Sequence, residues 1–72
     1  MPESTFATIQ RRQIEIAVGE LLLTSDYYMR LEIAERLRHL LAHADASLDI
    51  SLLSESAQDE LKELGILPSF EE

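Results

Sequence analysis

His39 and His43 stand four residues apart, with Glu35 one helical turn earlier. On a helix that spacing puts all three on one face, where two imidazoles and a carboxylate converge on a zinc or nickel ion. A zinc-protease pattern would place a glutamate directly after the first histidine. Here Leu40 follows His39, so no general base stands where metal-assisted hydrolysis needs one. The expected role is a solvated or interfacial pair, with no metal and no cofactor. A protonated histidine near the end of a helix is also favoured by the macrodipole, which makes pH sensitivity a secondary expectation. The chain has no cysteine, which removes thiolate nucleophiles, thiolate metal sites and disulfides together. Its serines lie in no G-x-S-x-G elbow and no glycine-rich phosphate loop. Adjacent Asp59 and Glu60 are explained by acids early in a short helix complementing its dipole rather than by acid–base catalysis. The chain is expected to have no catalytic residues.

Charge is the most polarised property of the sequence. Of a net charge of −8, seven units fall in Ala44 to Glu72, which holds eight acids (Asp45, Asp49, Glu55, Asp59, Glu60, Glu63, Glu71, Glu72) against Lys62 alone. The first 43 residues set six acids against five arginines. The two parts therefore present different potentials to a partner. Arg11 with Arg12, and Arg30 with Arg36 and Arg38, form the basic clusters. Each has carboxylates near enough for pairing along a helix, so a solvated face is favoured over a nucleic-acid patch.

These residues need elements to position them. Seventy-two residues make one domain with a modest core, expected to span 1–72 with 66–72 as a mobile tail. Phe6, Ile9, Ile14, Ala17, Val18, Leu21 and Leu22 recur at helical spacing, and the spacing predicts a first helix over Phe6 to Leu23, capped by Ser4 or Thr5. Gly19 inside it is expected to be tolerated. Thr24-Ser25-Asp26 favours local side-chain to backbone bonds and so predicts a short turn that creates a helical hairpin. The second helix, over Tyr27 to Ala44, carries Tyr27, Leu31, Ala34, Leu37, Leu41, Ala44 and Leu48 at steps of three and four. Asp45 to Asp49 reads as a loop and Ile50 to Leu53 as a helical turn or an extended link. A short third helix follows, capped by Ser54 or Ser56 and ended by a left-handed Gly65, with Pro68 beyond.

The fold expected is all-α, a helical hairpin plus a short third helix. The seven-residue repeat of helix two, with small Ala34 and Ala44, suits close helix pairing. Ile33, Leu37 and Leu40 widen its stripe beyond what one facing helix covers, so a homodimeric bundle is expected with Tyr27, Leu31, Ala34, Leu37, Leu41 and Ala44 at the interface, the competing expectation being a monomer whose third segment covers the extra apolar face. Tyr27 is expected inward and Tyr28 outward. A docking partner is expected at Glu55, Asp59, Glu60 and Glu63, joined by Tyr28 and by Phe70, which is either a loose end or an anchor.

The stretch Ala17-Val18-Gly19-Glu20-Leu21-Leu22-Leu23-Thr24-Ser25-Asp26, followed by Ile33, Leu37, His39 and Leu41, resembles the YmgB/AriR-type small bacterial regulators of biofilm formation and acid resistance. The resemblance covers about Ile14 to Leu52 and rests mostly on leucine spacing. It implies a helical homodimer acting in regulation through proteins or DNA, with no catalytic residues to carry over. The acidic, capped C-terminal segment departs from that pattern. No apolar run approaches the roughly 18 residues of a membrane span, and Met1-Pro2-Glu3-Ser4-Thr5 lacks the start of a signal peptide. The expectation is therefore a bacterial cytoplasmic regulator or adaptor that dimerises and binds a protein with a basic surface, with no membrane role. The competing expectation is a nucleic-acid-directed regulator, either binding DNA through Arg11, Arg12, Arg30 and Arg38 or imitating DNA through its acids.

Overall fold

The computed structural model describes residues 3–66. Within them the chain forms α1 (Thr5–Leu23), α2 (Tyr27–Ala42), a single 3-10 turn (Ile50–Leu52) and α3 (Glu55–Glu63), with no strand among the described residues. The three-helix order agrees with the sequence pattern. α1 and α2 pack as a hairpin and α3 lies against α1, so α1 is the helix the other two share.

Each end has a local cause. The Ser4 hydroxyl accepts from the Ala7 amide at 3.0 Å and the Asp26 carboxylate accepts from the Tyr28 amide at 3.1 Å, which satisfies orphan donors at the starts of α1 and α2. α1 stops at Thr24, whose extended backbone (φ −99, ψ 130) leaves the helix and whose hydroxyl donates to the Glu20 carbonyl at 2.7 Å. Two further carbonyls there, of Leu21 and Thr24, accept from the Arg30 guanidinium at 2.7 and 3.0 Å. α3 starts at Ser54, which accepts from the Ala57 amide at 3.2 Å. It ends with the Gly65 amide donating to Lys62 and the Ile66 amide to Leu61, both at 3.0 Å. That double closure requires a left-handed residue, and Gly65 supplies it at φ 75. The expected tail over 66–72, with Pro68 and Phe70, falls outside the described residues except for Ile66.

The core is one cluster. Ile14, Leu21, Leu37 and Leu61 are fully buried, with Ala17, Val18, Ile33, Leu53 and Ala57 around them. Fully burying a side chain of that size stabilises by about 1.5–3 kcal/mol, so these four carry much of what a domain this small can muster.

Two expectations about faces are corrected here. The apolar spacing that predicts α1 implies an amphipathic helix with Phe6, Ile9 and Leu22 on its apolar face, but these three are 59, 50 and 51 % exposed. Ala7 and Gln10 are buried instead, because Gln10 closes the far end of α2. Its Nε2 donates to the His43 carbonyl at 3.0 Å and its Oε1 accepts from the Asp45 amide at 2.8 Å. Tyr27, expected inward, is 66 % exposed, since at the first residue of α2 it lies at the hairpin end, off the α1-facing stripe of Ile33, Ala34 and Leu37.

Candidate functional site

The histidine pair sits at the C-terminal end of α2, with both rings exposed and their centroids 4.5 Å apart. Glu35 is exposed as well and its carboxylate accepts from Arg38 at 3.5 Å rather than turning to the histidines. No group of three or more His, Asp or Glu side chains among the described residues is placed to hold a metal ion.

Four of the five arginines are engaged. Arg11 grips Glu3 through Nε at 2.9 and 3.0 Å, Arg36 reaches Glu20 across the hairpin at 3.3 Å and Arg38 pairs with Glu35. Arg30, read from sequence as part of a charged face, is half-buried and spends its donors on the carbonyls that end α1, with Glu60 at 3.8 Å. Arg12 is exposed and has no ion-pair partner among the described residues.

The acids divide into two kinds. Glu55, Asp59 and Glu63 are exposed on α3, whereas Glu60 is turned inward toward Arg30. Glu3, Asp45 and Asp49 instead build a clasp between the start of α1 and the segment after α2. The Glu3 carboxylate accepts from the Asp49 amide at 3.0 Å, besides Arg11. Asp45 accepts from the Ser47 hydroxyl and amide at 2.6 and 2.9 Å and from the Ser4 hydroxyl at 3.3 Å. Asp49 accepts from the Ser51 hydroxyl and amide at 2.7 and 3.1 Å. All three carboxyls are held below their ordinary pKa. For Glu3 the Asp49 amide is the main cause, for Asp45 the Ser47 hydroxyl, and for Asp49 the Ser51 hydroxyl. Glu15 does similar work for α3, accepting from the Ser54 amide at 2.6 Å and the Ser54 hydroxyl at 3.1 Å. The bonds of Asp45 to Ser47 and of Asp49 to Ser51 join residues two apart and are a local pattern, whereas those of Glu3 to Asp49, Ser4 to Asp45 and Glu15 to Ser54 cross the chain and are not visible in local spacing.

The residues expected at a dimer seam do not form one surface. Ala34 and Leu37 are 8 and 0 % exposed, so α1 and the core already cover them and a second chain cannot reach them. Leu41 and Ala44 are half-buried, and Leu41 packs on the core. Tyr27 and Leu31 face outward, beside Tyr28, whose ring meets Tyr27 edge to face at 5.4 Å. With Leu22, Leu23 and Met29 these side chains make the hairpin end apolar on its outside. A shallow groove of about 290 Å³ runs between α1 and α2, lined by Gln13, Ile16, Ala17, Arg36 and Leu40. No helix of the described residues is long and apolar enough to cross a membrane.

Among the described residues the arrangement offers apolar and acidic surfaces. Comparison with protein-family descriptions, with characterised proteins and with solved structures finds no match to this chain.

Proposed function

We propose that the protein is a small acidic regulatory or adaptor module that dimerises and binds another protein without catalysing a reaction. One observation carries the reading: ten large apolar side chains among the described residues, from Phe6 to Leu52, are between 47 and 91 % exposed. Single exposed apolar side chains are ordinary, but contiguous ones mark surfaces that another molecule covers. Tyr27 and Tyr28 add aromatic rings of the kind enriched at interfaces. Glu55, Asp59 and Glu63 lie on a different helix and would steer a basic surface toward it. A cysteine-free chain suits a reducing cytoplasm, the compartment we assign. The nucleic-acid reading has less to stand on, since among the described residues four of the five arginines are paired within the chain and Arg12 and Lys62, on different helices, are the bases left outside an ion pair.

The experiment is affinity capture from the native host with the wild-type chain and with a Glu55→Gln, Asp59→Asn, Glu63→Gln variant. The captured protein is then identified and its association rate measured in 50 and 300 mM salt. The reading expects a basic partner whose association slows both with salt and with the three substitutions. A rate indifferent to both leaves the acids as a solubilising surface, and salt-dependent binding of duplex DNA by the isolated chain would favour the other reading.

A further inference from the structure

Five of the ten exposed large apolar side chains belong to α1, the helix that already carries both α2 and α3. At about 100° per residue its surface divides into three flanks. One reaches α2, through Gln10 to the His43 carbonyl, and a second reaches α3, through Glu15 to Ser54. The third carries Ile9, Ile16 and Leu23, which are 50, 57 and 91 % exposed. They stand seven residues apart, the repeat that keeps a stripe facing one companion helix along its length. A helix apolar nearly all round belongs inside a larger assembly, and here only two of three flanks are covered.

The charges on α1 say which companion fits. Its first half, Thr5 to Gln13, holds Arg11 and Arg12 and no acid, and its second half, Ile14 to Leu23, holds Glu15 and Glu20 and no base. That order opposes what a helix dipole favours, and α1 has neither an acid in its first turn nor a base in its last. Such a helix complements a copy of itself laid antiparallel. The two macrodipoles then oppose, and Arg12, the one of these four charges with no partner in its own chain among the described residues, lies along the half of the second copy that holds Glu15 and Glu20, whereas a parallel pair sets it beside the second copy's own Arg12.

We propose that two copies of this chain meet antiparallel along the Ile9, Ile16 and Leu23 stripe of α1, with Ile16 on the two-fold axis and Ile9 against Leu23 of the second copy. This rests on the reading of the protein as a dimer and gives that dimer a face. In this register Arg12 lies beside Gly19 of the second copy. No atom stands within 4 Å of where a Gly19 Cβ would be, so the arginine stem has room to lie there. Gln13 comes beside Glu20 of the second copy, an amide donor next to a carboxylate. The groove lined by Gln13, Ile16, Ala17, Arg36 and Leu40 opens along the same flank and has space for incoming side chains. The 19 residues of α1 run about 28 Å, and two adjacent helices make a face about 20 Å wide, on the order of 560 Å² in projection. Corrugation brings such a face close to the roughly 800 Å² of accessible surface per partner that a stable interface takes.

The chain has no cysteine of its own, so introduced ones report contacts cleanly. Under mild oxidation an equimolar mixture of Ile9→Cys and Leu23→Cys chains is expected to form a disulfide between the two variants, while neither variant links to itself. The bond requires Cα atoms within about 7 Å. Light scattering is expected to return twice the 8.2 kDa chain mass for the wild type and the single mass for Ile16→Glu, with its helical circular dichroism retained because Ile16 is exposed in the protomer. A wild type that stays at the single mass at every concentration removes the dimer and this face with it. A dimer that survives Ile16→Glu, or in which Ile9→Cys links only to itself, keeps the dimer and overturns the face or its direction.

Discussion

Replacing Gln10 by leucine tests the bond set that ties the start of α1 to the end of α2. Leucine suits the apolar surroundings of this buried position, but it leaves the His43 carbonyl and the Asp45 amide without the partners that Gln10 gives them at 3.0 and 2.8 Å. Each orphaned buried group costs about 1–3 kcal/mol. Both groups lie where α2 ends and the chain is half-exposed, so water recovers part of that loss. The extra apolar burial returns at most about 1 kcal/mol, the scale of one buried methylene. The net expectation is a destabilisation of about 2 kcal/mol, which in a domain this small lowers the thermal midpoint by roughly 8–16 °C. Circular dichroism melts at one fixed chain concentration measure it, with exposed Thr5→Ala as the control, since a dimer makes the midpoint concentration-dependent. A midpoint within about 2 °C of wild type would refute the argument, because the buried amide would then not be what orders this end of the hairpin.

Leu37→Glu, by contrast, is expected to abolish cooperative melting rather than to yield a folded monomer, since Leu37 is 0 % exposed and an unpaired buried carboxylate costs more than about 4 kcal/mol. A folded single chain by light scattering and circular dichroism would contradict its place in the core. The clasp carboxyls are depressed, so the stability they lend is present above their unfolded pKa values and is lost as pH falls through the lower folded ones. Amide protection at Asp49, Ser47 and Ser51 should accordingly persist at neutral pH and fade below about pH 4, as hydrogen exchange or NMR titration would report. Protection indifferent to acid would mean that the serines alone hold the segment. Replacing His39 and His43 together by glutamine should shift stability by no more than about 0.5 kcal/mol near pH 7. Stoichiometric zinc bound through both rings would overturn that expectation.

What the sequence made legible was what short range decides. Ser4, Asp26 and Ser54 cap the helices they precede, and Gly65 adopts the one conformation that ends α3, because each device lies within a few residues of its target. The apolar spacing of α2 also pointed to real contacts, yet it could not say with whom. Ala34 and Leu37 pack within their own chain, and a periodic stripe looks the same whether the facing helix is its own or another's. On α1 the apolar residues run nearly all the way round, so spacing alone could not choose between the Phe6 and Ile9 flank and the one that holds Ala7 and Gln10. The choice was made by the unmet carbonyl at His43, 33 residues away. The positions that Arg30 and Glu15 take were not legible for the same reason, since their targets are backbone groups of other elements.

The hold of Glu15 on Ser54 bears on the order in which this chain gives way. A nine-residue helix is too short to persist by itself, because nucleation costs more than so few bonds return. α3 therefore exists only while α1 presents Glu15 to its first turn and a surface for Ala57 and Leu61 to sit on. α1 and α2 lose the cover of Leu53, Ala57 and Leu61 when α3 leaves, but at 19 and 16 residues they keep more bonds of their own. The shorter helix has more to lose, so the segment from Ser54 to Ile66 is expected to open as a unit whose amides exchange ahead of those of the hairpin. Each such excursion bares part of the surface that Leu53, Ala57 and Leu61 cover in the core cluster. The acids Glu55, Asp59 and Glu63 ride on this element, so a basic protein of the kind proposed, if it gripped them, would act on how often that surface is seen.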